Sequence, residues 1–222
     1  MRAGVGALLS GLLLVAGPAG ASGQAGSAED TARLLGQLRE RWRAIPGLEA
    51  KITHTFEWVL AGETQTTRGT LQLAGRDSVR IETAEVTIVS DGRSIWQYTP
   101  AQKQVVIDRV DPERGVVTPG QLFSAYTEEV TAHWVREERL GRLRMAVLHL
   151  ERTSEADPRA LEVWVDTRDL LVMRLEYRDG AGNHHRYVLD EVVVAPQDPA
   201  RFTFRVPEGV TVMDLRPPGT GR

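Results

Sequence analysis

A chain of 222 residues, 41% hydrophobic and 26% charged, has the make-up of one soluble globular domain rather than of a disordered or membrane-spanning polypeptide. The formal net charge is -3, with Lys and Arg scattered among Asp and Glu, which excludes the basic face of a nucleic-acid-binding protein. The absence of cysteine removes disulfides, lipobox anchoring, thiolate metal sites and cysteine nucleophiles together.

Residues 1–21 read as a cleavable secretory signal. Arg2 supplies the positive start, Leu8, Leu9 and Leu12 to Val15 the apolar stretch, and Ala19-Gly20-Ala21 the small residues of a cleavage site before Ser22. Residues 22–27 form a linker, 28–214 one domain and 215–222 a tail. Ser27 is placed to cap a helix over 28–45, with Glu29 and Asp30 in its first turn. Leu35, Leu38, Trp42 and Ile45 fall on one stripe of that helix, and Pro46-Gly47 stops it.

The period then changes from helical to alternating. Leu48, Ala50, Ile52, His54, Phe56 and Trp58 share one face of a long strand, and Leu71 and Leu73 face inward on the return strand, where Gly69 suggests a bend or bulge. Val79, Ile81 and Thr83 follow. The Asp91-Gly92 pair between apolar runs predicts a two-residue type I′ hairpin at the middle of the sheet, with Trp96 and Tyr98 on one face and Ile95 and Gln97 on the other. Thr118-Pro119 opens a second short helix carrying Leu122, Phe123 and Tyr126. Further strands are expected at 104–110, 130–135, 145–150, 161–165, 170–177, 185–194 and 202–204. The tally is about eleven strands in an up-and-down antiparallel meander, which at that width should curl or close around space for the two helices.

No catalytic or metal constellation stands out. The histidines have no ligand spacing, since His184 and His185 on a strand point to opposite faces, and the sequence lacks zinc, EF-hand, nucleophile-elbow and phosphate-loop patterns. The carboxylates sit in turns or on polar faces. What is in excess is apolar surface: Leu35, Leu38, Trp42, Ile52, Phe56, Leu71, Leu73, Val79, Ile81, Trp96, Leu122, Phe123 and Tyr126 all seek one interior. Periodicity leaves open whether that interior is a filled core or a ligand cavity.

Four stretches resemble the outer-membrane lipoprotein carrier family, LolA. IVSDGRSIWQY (88–98) looks like its SDG…W-Y segment, and GTLQL (69–73) like its Gly-x-Leu strand. Thr118-Pro119 is similar to the start of its middle helix, and ARFTFRVPEGVTVMD (200–214) to its terminal segment. The resemblance implies a mainly β fold, a half-open antiparallel β-barrel with an α-helical lid, and no enzyme activity, cofactor or metal. It implies a monomeric periplasmic chaperone whose apolar cavity takes the acyl chains of lipoproteins. Cargo would come from an inner-membrane ABC transporter (LolCDE-like) and pass to an outer-membrane receptor (LolB-like). Val79 and Ile81 stand where the family has large apolar or aromatic cavity residues. The family's Arg-Pro before this strand is replaced here by Gly75-Arg76-Asp77, so Arg76 takes the place of the lid-latching arginine with a one-residue shift, which reverses its face. Alternative roles on the same fold are carriage of another lipid or glycolipid, or sensing of lipoproteins by a regulatory protein.

Overall fold

The computed structural model describes residues 25–75, 78–110, 130–153 and 158–216. The signal segment, Arg76 and the segment bearing Leu122, Phe123 and Tyr126 lie outside the described residues. Helix α1 spans Ala28–Ala44 and begins as the sequence indicates. The Ser27 hydroxyl accepts from the Asp30 amide at 3.1 Å, and the Asp30 carboxylate accepts from the Ser27 amide at 3.3 Å, so two otherwise orphaned donors are satisfied reciprocally. Thr31, Leu34, Leu35, Leu38 and Trp42 form its buried stripe, while Arg33, Glu40 and Arg43 face solvent.

Twelve strands follow: β1 (Gly47–Trp58), β2 (Glu63–Ala74), β3 (Ser78–Thr83), β4 (Thr87–Asp91), β5 (Ser94–Thr99), β6 (Gln104–Arg109), β7 (Val130–Leu140), β8 (Leu143–Arg152), β9 (Ala160–Asp166), β10 (Leu171–Arg178), β11 (His184–Val194) and β12 (Thr211–Asp214). They make one sheet in the order β12-β6-β5-β4-β3-β2-β1-β11-β10-β9-β8-β7. It is therefore two meanders rather than one, joined where β1 pairs antiparallel with β11. The sheet stays open, with β7 at one end and β12 at the other. The fold is mainly β, as expected, and half-open rather than closed.

Several local expectations are corrected. The centre of the sheet is β1, not the β4–β5 hairpin, because the second meander returns to lie beside β1. At that hairpin only Gly92 has positive φ (87°); the Asp91 carboxylate instead accepts from the amides of Arg93 and Ser94, both at 2.8 Å, so the turn is built by a side chain one residue further on. Gly69 makes no bulge. It pairs in register with Ile52 and Thr83, and glycine is needed because a Cβ would sit 2.1 Å from the Glu82 carbonyl oxygen. Register shifts fall instead between Glu49 and Lys51 where β1 meets β11, between Trp134 and Arg136 on β7, and between Val172 and Arg174 on β10. At the first of these Glu191 adopts positive φ (51°), and such bulges add bend and twist. The strand expected at 202–204 is replaced by a 3-10 turn, Pro199–Phe202, because Pro199 donates no amide and the Asp198 carboxylate caps the turn. The last strand, β12, is parallel to β6.

The chief core lies between α1 and one face of the sheet, with Leu38, Leu71, Leu148 and Leu175 fully buried. Truncating Leu38 to Ala removes a side chain that is 0% exposed and should cost about 2–5 kcal/mol, read as a lower urea midpoint. Gly69→Ala, forced against the Glu82 carbonyl, should cost about 1–3 kcal/mol in the same assay.

Candidate functional site

Cross-strand partners share a face, so the register traces one apolar surface across the sheet. Ala50 of β1 lies opposite Leu71 of β2, Leu71 opposite Ile81 of β3, and Ile81 opposite Ile88 of β4. One pair lower, Leu48, Leu73 and Val79 align in the same way. In the other direction Ile52 faces Leu189, and His54, Tyr187, Leu175, Val163 and Leu148 run in register to Trp134 on the β7 edge. Helix α1 lies on this surface against β7 and β10.

Polar ties to the strands and their turns are made by Thr31 and Arg41 of α1. The Trp134 amide donates to the Thr31 hydroxyl at 3.3 Å, and the Arg41 guanidinium donates to the Asp169 carbonyl at 3.2 Å. A cleft of about 330 Å³ opens along the seam between the first turns of α1 and β7, with Ala28, Leu35 and Trp134 among its walls. That is the lower end of the range of ligand pockets.

The sequence-derived site residues are distributed as follows. Leu35, Leu38, Trp42, Ile52, Leu71, Leu73, Val79 and Ile81 are all buried and belong to one cluster. Phe56 shares their face but is half-buried nearer the upper end. Trp96 is separated from them: its partners are Val89 and Ile107, whereas Gln97 pairs with Ile88, so Trp96 lies on the opposite face. There Val89, Val105, Ile107 and Phe202 are buried outside the main cluster, and the Pro199–Phe202 turn packs on β3 and β4. Trp58, expected to face inward, is 48% exposed because β1 outruns the core. Leu34 and the whole β8–β11 half of the surface, including Leu148, Val163 and Leu175, were not singled out by sequence; their only signal was alternation within each strand.

Above the apolar strip sits a ladder of rings. His54 stacks on Tyr187 with centroids 4.1 Å apart, Tyr177 stacks on His185 at 4.6 Å, and Phe56 tilts against His185 at 4.9 Å. His185 Nε2 lies 3.3 Å from the Asp179 carboxylate and its Nδ1 lies 3.2 Å from His54 Nε2. With Asp179 ionised, the His185 Nε2–H donates to it. Burial, then the neighbouring charge of His185, pushes His54 down to about 4, and burial raises Tyr187. His184 points the other way, toward Glu176 at 3.1 Å and Glu57 at 3.4 Å. Burial raises the Glu176 carboxyl, but hydrogen bonds from Arg186 and Arg174 outweigh this and hold it below the usual range. Among the described residues no cluster of three His, Asp or Glu is arranged to hold a metal ion, and no helix is long and apolar enough to cross a membrane.

The arrangement, an apolar sheet face under an amphipathic helix, offers a surface for hydrophobic binding. A family model described as outer membrane lipoprotein carrier protein LolA matches residues 57–205. The chain is 27% identical over 187 residues to an outer-membrane lipoprotein carrier protein of Haemophilus ducreyi, covering 82% of this chain and 85% of that one. To the protein of the same name from Shewanella sediminis it is 26% identical over 186 residues, covering 82% and 86%. An uncharacterized conserved protein from Thermus thermophilus has a similar fold, with a TM-score of 0.55 at 14% identity, covering 82% of this chain and 98% of that one. The matched stretch exceeds half of the sequence, and the chain belongs to the family of the outer membrane lipoprotein carrier protein LolA.

Proposed function

We propose that this protein is a periplasmic carrier that holds the acyl chains of lipoproteins against the helix-bearing face of its sheet, in the space that α1 fills when no cargo is bound. The observation that carries this reading is the cover itself: an apolar strip across an open sheet, overlaid toward β7 and β10 by the apolar stripe of α1. The names of the Haemophilus and Shewanella relatives support extending a lipoprotein-carrying role to this chain.

Magnitudes favour exchange between helix and cargo. Burying Leu34, Leu35, Leu38, Trp42 and Ile45 at roughly 2 kcal/mol each stabilises the closed state by about 10 kcal/mol. One acyl chain of about fifteen carbons gains on the order of 12 kcal/mol at about 0.8 kcal/mol per methylene. A single chain therefore roughly balances the helix, and a lipoprotein with several tips the exchange toward loading. Ile52, Leu71, Leu73, Val79 and Ile81 form the floor in this reading, and Leu35, Leu38 and Trp42 the underside of the lid. The ring ladder, with its polar edges, marks where the acyl chains meet the polar part of the cargo. Residues 1–21 direct export and are removed. An inner-membrane ABC transporter loads the carrier and an outer-membrane receptor unloads it.

Val79→Glu or Ile81→Glu should weaken binding of a fluorescent triacylated peptide at least tenfold while the purified variant keeps its sheet by circular dichroism; undiminished affinity would overturn the assignment of the floor. Hydrogen exchange over Ala28–Ala44 should accelerate on loading, and equal protection with and without the peptide would argue that α1 never leaves. Mass spectrometry of protein drawn from its native envelope should find acylated lipoprotein, whereas free lipid or glycolipid in its place would mark a carrier of other cargo.

The ladder also sets a pH dependence. Folded His54 stays neutral down to about 4, while an unfolded His takes its proton near 6.5. The unfolded chain binds more protons between those values, so the ladder's contribution to stability is full above about pH 6.5 and lost as pH falls toward 4. His54→Gln should flatten the fall in urea midpoint between pH 7 and pH 5.

A further inference from the structure

The β1–β2 hairpin extends beyond the core and ends in three consecutive apolar side chains, Trp58, Val59 and Leu60, which are 48%, 56% and 87% exposed. Adjacent large apolar residues at the tip of a hairpin gain nothing from folding, so their presentation needs another cause. The tip is held in place rather than left loose. The Gly62 amide donates to the Trp58 carbonyl at 2.8 Å, with Gly62 supplying the positive φ (67°) that closes the turn. The Val59 amide donates to the Asn183 side chain at 3.2 Å, and Asn183 is fixed in turn by two hydrogen bonds to the Asp179 carboxylate.

We propose that residues 58–60 dip into the headgroup–acyl boundary of a zwitterionic phospholipid surface. Three side chains on a convex tip offer far less than the roughly 800 Å² per partner of a stable protein interface, whereas a fluid lipid surface closes around such a projection. Trp suits that depth, having an apolar body and one N–H donor. Glu57 and Glu63 flank the tip, and Asp179 and Arg178 lie in and beside the turn behind it, so carboxylates predominate there among the described residues; anionic headgroups are therefore disfavoured and zwitterionic ones fit. Trp58 shares a face with Phe56, His54 and Ile52 along β1, so a track of rings leads from the tip to the buried strip. That track is useful for transfer only on the carrier reading, but insertion of the tip stands without it.

The natural chain has no cysteine, so Leu60→Cys gives a unique thiol for an environment-sensitive fluorophore. Arg142→Cys, in the exposed β7–β8 turn at the other end of the strands, gives the control. With phosphatidylcholine vesicles, emission from position 60 should shift to the blue and brighten several-fold to saturation, while position 142 stays unchanged. In vesicle flotation Leu60→Glu should lower the bound fraction at least threefold, with an unchanged unfolding midpoint and unchanged affinity for the triacylated peptide. No response at position 60, or equal responses at both positions, overturns the proposal. So does a response at 60 that appears only when a membrane protein is reconstituted in the vesicles, which would give the tip to a protein partner. Loss of peptide binding in unmodified protein would count against the carrier reading and leave the vesicle result standing.

Discussion

An open sheet with one oily face cannot remain bare in water, and the way this one is covered governs the rest of the molecule. Helix α1 lies over the surface that runs from Trp134 at the β7 edge through Leu148, Val163 and Leu175 toward β1, in one cluster with Leu71, Val79 and Ile81. A cover made of side chains on a helix differs from a cover made by a second sheet. It leaves as one unit, and the surface it vacates is continuous. The polar ties at Thr31 and Arg41 fix orientation more than they add strength, since each neutral or exposed hydrogen bond contributes on the order of 1 kcal/mol.

The two faces divide the physical work. On the side away from α1, charges are paired in a connected set: Arg174 reaches Glu176 and lies 4.1 Å over the Trp164 ring, while the Trp164 indole donates to Glu138 at 2.7 Å. A second small core under the Pro199–Phe202 turn is held by Arg80, which donates to the Arg201 carbonyl at 3.1 Å, and by Arg201, which reaches Glu49 at 3.3 Å. These contacts stiffen the far side. The face under α1 carries few directional contacts until the ring ladder at its upper end, so its occupant is chosen by volume and apolarity, and the polar edge of the ladder limits how far an oily guest extends.

Much of this could be read from residue order, for reasons that are local. The Ser27 cap, the stripe of α1 and the alternation of β1 through β3 each depend on neighbours within a few positions, and they appear where the pattern puts them except at Trp58, where β1 runs past the core. What depends on distant pairing did not show. Trp96 falls on the far face because the register of β4 and β5 against β3 decides it, and one strand's alternation cannot say which of its two faces is in. The union of β1 with β11, and with it the contact between His54 and His185, joins residues 131 positions apart. Strand β12 escaped notice because it is four residues long, exposed throughout and anchored by a parallel partner rather than by a hairpin.

The seam between β1 and β11 has a further consequence for how the chain reaches its native state. The first meander can assemble from hairpins alone, yet its founding strand then stands as an unpaired edge, twelve residues long, until β11 arrives from the far end of the second. Closing that loop sacrifices chain entropy before any reward comes, so the step should dominate the folding time, as in other topologies of high contact order. An export system delivering this polypeptide amino end first would hold an adhesive half-sheet for as long as the remainder takes to emerge.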